Sequence, residues 1–298
     1  MAGTHGRGFY RVSLAAWGEL REAGSTALAC GLLLVFVTPP ATLHAGQVNG
    51  FLLLALCLAL YGMSRRREAL TGIGLALGFL LKLIPVALVF YLPWRRMWRA
   101  AAAAVVLALI LLMTAPLVLG PGVLRSYANS FLSTGQPGVI FQTGANQSLN
   151  GFWGRLLDGR ADNRTVYAIY LASAILVVLG TVAVCWPWGR RAHGHKYEFA
   201  AIVCALQLIT PYTWYHQLVL LLIPLFILTS AIIDGDAPSR WTIPLAAGYV
   251  ATDLHGLFWH QLASSALLSM PFYTTVMLWA MLSVLAVNEN RRMLAQEL

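Results

Sequence analysis

Four groups of polar side chains interrupt strongly apolar stretches of this sequence. They are Gln47 with Asn49; Lys82 with Pro85; residues 146–150, which include Asn146 and Gln147; and residues 210–217, which include Trp214 and His216. Amide side chains carry both donors and acceptors, and beside aromatic rings they suit the hydroxyls of a sugar. A lysine ammonium away from water needs an anion. Together, these groups predict a polar cavity that contains a cation.

Lys82 has the most specific chemistry of these groups. The neighbouring apolar stretches contain no Asp or Glu that could neutralise it. We therefore expect Lys82 to bind an anionic ligand such as a lipid phosphate, because an unpaired charge at membrane depth is unfavourable. In the alternative interpretation, Lys82 extends to the membrane surface and serves only as an anchor.

His216 and Asp158 are weak candidates for a catalytic group. His216 follows Trp214 and Tyr215, and an imidazole can act as an acid, a base or a hydrogen-bond donor. Asp158 has arginines on both sides, which favours solvated ion pairs over catalysis. The flanking arginines are Arg155, Arg160 and Arg164. The sequence alone therefore assigns no catalytic residue.

Metal and nucleotide chemistry find little support in the sequence. Asp253, His255 and His260 do not have the spacing that places several metal ligands on one helical turn. The chain also lacks a phosphate-binding glycine loop, a zinc-ligand pattern and a nucleic-acid-binding motif. We therefore predict no metal site, no cofactor and no nucleic-acid partner.

The elements that carry these groups must be membrane helices. The chain has 298 residues, of which 59% are hydrophobic and 10% charged, whereas soluble domains contain about 25% charged residues. Lipid can solvate such an apolar exterior, and a spanning helix needs about 20 mainly apolar residues. The predicted spans are residues 26–43, 48–63, 100–119, 166–188, 199–233 (a pair), 241–258 and 264–287. The predicted fold class is all-α, a polytopic bundle of eight to ten membrane helices.

Basic residues indicate how the chain is threaded. The net charge is +9, and 15 of the 20 Lys and Arg residues fall in clusters between the spans or near the termini. Because Lys and Arg collect in cytoplasmic loops, we expect these clusters inside. This places residues 1–25 in a cytosolic lead-in and 291–298 in a cytosolic tail. Between them, residues 26–290 form one transmembrane domain, with an outer segment at 120–165 and all four polar groups facing outward.

Residues 69–94 do not fit a simple span. They connect two basic clusters that should both lie inside, yet they are too short to cross twice. Lys82 and Pro85 stand at their middle, and proline interrupts helical hydrogen bonding. We predict two half-length helices that meet between Lys82 and Pro85 beside a cavity enclosed by protein. A single span would instead place Arg95, Arg96 and Arg99 outside.

Five motifs, taken in order, resemble glycosyltransferase family 87 of the GT-C superfamily. They are residues 46–49, 78–82 with Pro85, 94–96, 146–149 with Arg155 and Leu156, and 210–216. The resemblance runs from about Thr38 to about Leu228, and it depends on the order and spacing of motifs that are individually weak. It implies a GT-C-like fold with an inverting reaction that uses no nucleotide sugar.

The resemblance also implies the partners and the site. The donor would be a polyprenyl-phosphate sugar, usually mannose. The acceptor would be a glycolipid or polysaccharide on the outer side of a bacterial plasma membrane. The residues that match positions around the donor and acceptor cavity are Gln47, Asn49, Lys82, Asn146, Gln147, Trp214 and His216. Membrane lipids are also expected as partners.

One departure from the family concerns the catalytic carboxylate. Family members carry an N-terminal span followed by an outer loop with a catalytic aspartate, whereas no Asp precedes Asp158 in this sequence. We therefore expect an N-terminally shortened or inactive chain, or one in which another group acts as the base. Two other hypotheses stay open: a transporter or flippase of lipid-linked sugars, and a non-catalytic membrane partner. A transporter would often contain an internal repeat, and no second half matching the first is found.

Overall fold

The computed structural model describes residues 42, 46–134, 140, 143–186, 196–258, 261–262 and 264–295. Within them the chain forms eleven α-helices and no strand longer than one isolated bridge. The helices are α1 Asn49–Ser64, α2 Glu68–Leu81, α3 Val86–Trp94, α4 Trp98–Leu119, α5 Val123–Thr134, α6 Leu149–Leu156, α7 Asn163–Cys185, α8 Lys196–Ile209, α9 Leu222–Ile233, α10 Thr242–Phe258 and α11 Met270–Ala295. Short 3₁₀ segments, Tyr215–Leu221, Ser239–Trp241 and Leu267–Ser269, precede α9, α10 and α11. The predicted all-α class is confirmed.

Among the described residues, four helical segments are long and apolar enough to cross a membrane. They are Trp98–Leu119, Asn163–Cys185, Tyr215–Ile233 and Leu267–Arg292, while α1 and α2 are shorter apolar helices. The predicted total of eight to ten membrane helices stays a prediction. The expected span at residues 26–43 lies outside the described residues, except for Thr42. The segment 120–165, expected as an outer segment, contains the two helices α5 and α6.

The predicted break at Lys82–Pro85 is present. The helix α2 ends at Leu81, Lys82 adopts an extended backbone, and α3 begins directly after Pro85. In a continued helix the ring of Pro85 would clash with the carbonyl of Leu81, four residues earlier, which explains where α2 stops. The carboxylate of Glu68, at the start of α2, accepts from the backbone nitrogen of Ala100, at the start of α4, at 3.1 Å. The two helices therefore begin at the same end of the bundle, so the pair α2–α3 returns to where it started.

Small residues allow α1, α2 and α4 to pack closely. A Cβ atom on Gly74 of α2 would lie 2.6 Å from the backbone nitrogen of Ala59 and 2.7 Å from the carbonyl oxygen of Ala55, both in α1. A Cβ on Gly72 would lie 2.6 Å from the Cβ of Ala103 in α4. Close backbone approach is a main source of attraction between helices in lipid, where burial of apolar surface drives little.

The variant Gly74→Ala should therefore push α1 and α2 apart and destabilise the protein by about 1–3 kcal/mol, the usual range for overpacking. Thermal unfolding of the purified protein in detergent measures the effect. Gly50→Ala in α1 is the matched control, because a Cβ there meets nothing within 4 Å. Equal melting temperatures for the two variants would contradict this packing.

The helix α8 forms the centre of the bundle. Every residue from 197 to 208 is buried, whereas most of α4 and α7 is open to the surroundings. A helix that is buried on all sides must be covered by other helices, and α8 contacts α3, α7, α9 and α11. Polar side chains on α8 can therefore reach several elements at once.

A buried ion pair stands at the first turn of α8. The carboxylate of Glu198 is fully buried and pairs with the guanidinium of Arg95, which is 4% exposed. It also accepts from the hydroxyl of Tyr91 and, at 3.0 Å, from Nδ2 of Asn290. Arg95 was expected in a basic cluster of a cytoplasmic loop. It is buried instead, because Glu198 supplies a counter-charge from a helix distant in sequence.

These contacts identify the end of the bundle where the arginines collect. Arg66 lies between α1 and α2, Arg96 precedes α4, and Arg291 follows Asn290 in α11. The contacts of Glu68 with α4, and of Glu198 with Arg95 and Asn290, bring all of these segments together. We call this the arginine end. The sequence-based threading places these same segments on one side.

Candidate functional site

At the opposite end, α1 meets the turn before α9. Asn49, the first residue of α1, donates from Nδ2 to the carbonyl oxygen of His216 at 3.2 Å. The hydroxyl of Thr42 donates to the same oxygen at 2.7 Å. The imidazole of His216 is half-buried beside the ring of Tyr215. Gln47 is also half-buried, and its backbone nitrogen donates to the carbonyl of Thr42 at 3.0 Å. The first and fourth polar groups of the sequence therefore lie together.

Asn146 joins the third polar group to the same turn. Its Nδ2 donates to the carbonyl of Pro211 at 3.1 Å, and its Oδ1 accepts from the backbone nitrogen of Thr213 at 2.8 Å. An isolated antiparallel bridge pairs Asn146 with Trp214. We call the end of the bundle that contains Asn49, Asn146, Gln147, Trp214 and His216 the amide end.

Gln147 ties the amide end to α10 and α11. Its Nε2 donates to the carbonyl of Leu268 at 2.8 Å, and its Oε1 accepts from the backbone nitrogen of Phe272 at 3.3 Å. The same Nε2 lies 3.1 Å from Nε2 of His255, which is 1% exposed. From the sequence, His255 was considered only as a weak candidate for a metal ligand. The feature that could have indicated its position at the amide end is a histidine near the end of an apolar helix.

Arg155 supports this arrangement from α6. Its Nη1 donates to the carbonyls of Thr143 and Asn146 at 2.8 and 2.6 Å, and its Nε and Nη2 contact Oγ of Ser269 at 3.2 and 2.9 Å. Burial lowers the pKa of the guanidinium to about 10, so Arg155 remains a cation at neutral pH. Arg155 was expected in a solvated ion pair. It is buried instead, because the loop before α6 folds its carbonyls around the guanidinium.

The two aspartates of this region lie on the surface. Asp158 is exposed in the turn between α6 and α7. Asp162 caps α7 by accepting from the backbone nitrogen of Thr165 at 2.7 Å, and this hydrogen bond lowers its pKa. Asp162 thus has a local structural role, since a capping carboxylate satisfies an amide at the start of a helix.

Lys82 completes the convergence of the four groups. It is half-buried at the break between α2 and α3, within electrostatic range of the imidazole of His216. Within the described part of the chain, its ammonium makes no hydrogen bond or ion pair. The structure therefore places a cation, an imidazole and several amides at one end of a helical bundle.

Comparison with known proteins identifies the family. Glycosyltransferase family 87 matches residues 8–211, about two thirds of the chain. The chain belongs to glycosyltransferase family 87. No curated protein and no solved structure matches it. The family match covers Asn49, Lys82, Asn146 and Gln147 but ends before His216. The assignment of His216 to the candidate site therefore depends on its contacts with residues inside the matched region.

Three buried polar atoms of this glycosyltransferase lack a hydrogen-bond partner among the described residues. They are Oδ1 of Asn49, Oε1 of Gln207 and Nδ1 of His255. The other polar atom of each of these side chains has a partner: the carbonyl of His216 for Asn49, the carbonyl of Gln217 for Gln207 and the amide of Gln147 for His255. Buried polar atoms are usually satisfied, and exceptions concentrate where a protein has a task besides stability. No group of three or more His, Cys, Asp or Glu side chains in the described residues could hold a metal ion.

Proposed function

We propose that this family 87 protein transfers a hexose, in the first place mannose, from a polyprenyl-phosphate sugar to a glycolipid or polysaccharide. Membership of the family supports a membrane glycosyltransferase. The observation that carries the finer proposal is the position of Lys82. Its ammonium lies within electrostatic range of His216, and no carboxylate among the described residues pairs with it. A phosphate oxygen would stabilise such a charge.

The proposed reaction is an in-line displacement with inversion. An acceptor hydroxyl attacks the anomeric carbon, the bond from that carbon to the phosphate oxygen breaks, and the hydroxyl proton passes to a base. Lys82 offsets the negative charge on the departing lipid phosphate. His216 binds the donor phosphate or orients the acceptor. The base is a carboxylate in the complete family pattern, and in this chain His216 and Asp158 are the weak candidates.

The amides have two proposed roles. Gln47, with Trp214, binds the sugar through hydroxyl hydrogen bonds and ring contact. Asn49 contributes only its buried, unpartnered Oδ1, because its Nδ2 holds the carbonyl of His216. Asn146 and Gln147 are proposed for the same cavity, but their amides already hold the turn at Pro211 and the start of α11. We propose that these two residues act mainly by shaping the cavity wall.

The proposed location is a bacterial plasma membrane with the amide end facing outward. Residues 1–25 and 291–298 would then be cytosolic, and residues 26–290 would form one transmembrane domain with its outer segment at 120–165. The support is the collection of Arg66, Arg96 and Arg291 at the other end, because basic residues prefer the cytoplasmic side.

Cysteine labelling tests this orientation. Position 158 at the amide side and position 96 at the arginine end are both exposed, so each can carry a single cysteine in a background without the native ones. A membrane-impermeant maleimide should label Asp158→Cys in intact cells, but Arg96→Cys only after permeabilisation. Labelling of position 96 from outside would reverse the orientation.

Transfer of labelled sugar tests the function. In nanodiscs, we expect slow transfer from polyprenyl-phosphate mannose and none from GDP-mannose, because no aspartate precedes Asp158 to act as the base. His216→Ala should reduce this transfer further. Direct use of the nucleotide sugar would contradict the proposed donor. Movement of intact donor across the bilayer would favour the flippase hypothesis, and donor binding with no transfer would favour a non-catalytic partner.

A further inference from the structure

We propose that Gln207 is a positioning residue of the transferase site and that it acts by holding the 3₁₀ segment Tyr215–Leu221, which carries His216. The inference rests on the proposed function for its effect on catalysis. No motif in the sequence singles out Gln207. It lies in the last turns of α8, 1% exposed, within an otherwise apolar buried stretch.

Pro224 explains why the residues before α9 form a 3₁₀ helix. The helix α9 begins at Leu222 with Pro224 in its first turn, where a missing N–H does no harm. If the α-helix continued backward, the proline ring would clash with the carbonyl of Leu220, four residues earlier, and could not donate to it. The chain therefore enters α9 through a tighter helix. This helix has seven residues, whereas 3₁₀ runs longer than about four are uncommon, so it needs support from elsewhere.

Gln207 supplies that support at two points. Its Nε2 donates to the carbonyl of Gln217 at 3.3 Å, and its own carbonyl accepts from the hydroxyl of Thr213 at 2.6 Å. Gln217 in turn accepts at Oε1 from the backbone nitrogen of Trp214 at 3.2 Å. One side chain and one carbonyl on α8 therefore hold both the start of the 3₁₀ segment and the turn that precedes it.

Asn49 holds the adjacent carbonyl from another helix. Its Nδ2 donates to the carbonyl of His216, next to the carbonyl of Gln217 that Gln207 holds. Two amides from α1 and α8 thus hold consecutive peptide groups of the 3₁₀ segment. Because both peptide groups are held, the direction of the Cα–Cβ bond of His216 is fixed.

The unpartnered oxygen of Gln207 indicates that this side chain does more than fill space in the core. Its Oε1 is buried without a donor among the described residues, which is unfavourable. An apolar side chain of similar size would fill the same space without that penalty. The amide is therefore explained by what Nε2 does for the 3₁₀ segment.

The variant Gln207→Met tests the inference, because methionine has a similar length and no donor. In a background without native cysteines, a cysteine at position 215, half-buried in the parent, should react with a methanethiosulfonate reagent several-fold faster in the variant. The maximal rate of mannose transfer should fall about 10-fold with little change in KM for the donor, the pattern of an interaction that matters in the transition state. Gln207→His, which keeps an N–H donor at similar reach, should restore part of both values.

Leu208→Met is the matched control, because Leu208 is the next residue of α8 and is fully buried. It should change neither the labelling nor the rate. If Gln207→Met also matches the parent in both, Gln207 only packs and the inference is overturned while the proposed function stands. Equal losses in Gln207→Met and Gln207→His, with equally lowered melting temperatures, also overturn it. If the parent transfers no sugar, the proposed function fails, and the labelling still decides whether Gln207 holds the segment.

Discussion

Glu198→Ala is expected to lower the free energy of unfolding by about 3–5 kcal/mol, the range for removing one partner of a buried ion pair. The guanidinium of Arg95 would stay buried without its counter-charge. Tyr91 and Asn290 would also lose the acceptor that they share. Thermal unfolding in detergent, followed by intrinsic fluorescence, should show a large drop in melting temperature.

Two further variants show whether the pair itself is responsible. The double variant Arg95→Met with Glu198→Leu should recover most of the stability, because apolar residues of similar volume can replace a buried ion pair without loss. Arg96→Met, at the exposed neighbouring position, should have little effect, as is usual for surface substitutions. If Arg96→Met destabilises the protein as much as Glu198→Ala, the stability depends on the total charge at the arginine end and not on the buried pair.

Lys82→Met is expected to weaken binding of polyprenyl-phosphate mannose by about 10- to 150-fold, which corresponds to about 1.5–3 kcal/mol for one charged hydrogen bond. The fold should persist, because the ammonium makes no hydrogen bond or ion pair within the described residues. Equilibrium binding of the donor to the protein in nanodiscs measures the loss directly and does not depend on turnover.

The controls for Lys82 separate donor binding from general charge. Lys82→Arg should restore only part of the affinity, since a planar guanidinium does not replace a compact ammonium in a shaped cavity. Lys196→Met removes a half-exposed cation whose Nζ lies 4.0 Å from a carboxylate oxygen of Asp236, and it should leave donor binding unchanged. If Lys82→Met binds the donor as tightly as the parent, Lys82 is a surface anchor and the donor-site assignment fails.

The helical class and the break in residues 69–94 were predictable from the sequence because both arise locally. Apolar stretches too long for a soluble core require membrane helices. Pro85 interrupts α2–α3 through its own ring and the restriction on its predecessor. The meeting of Asn49, Asn146 and His216 at one end followed from the alternation of spans, which places every second connection on the same side.

The partners of the buried polar groups were decided only by the tertiary structure. Arg95 and Arg155 look like any surface arginine in the sequence, but one is buried against Glu198, 103 residues away, and the other against Ser269, 114 residues away. The contacts of Gln207 with the carbonyl of Gln217, and of His255 with Gln147, likewise form only when separate elements pack together. Charge and polarity are properties of a residue, and the sequence reveals them. Whether a charged or polar group meets water, a counter-charge or a carbonyl depends on which helices pack around it, and that is set by the three-dimensional arrangement of the whole bundle.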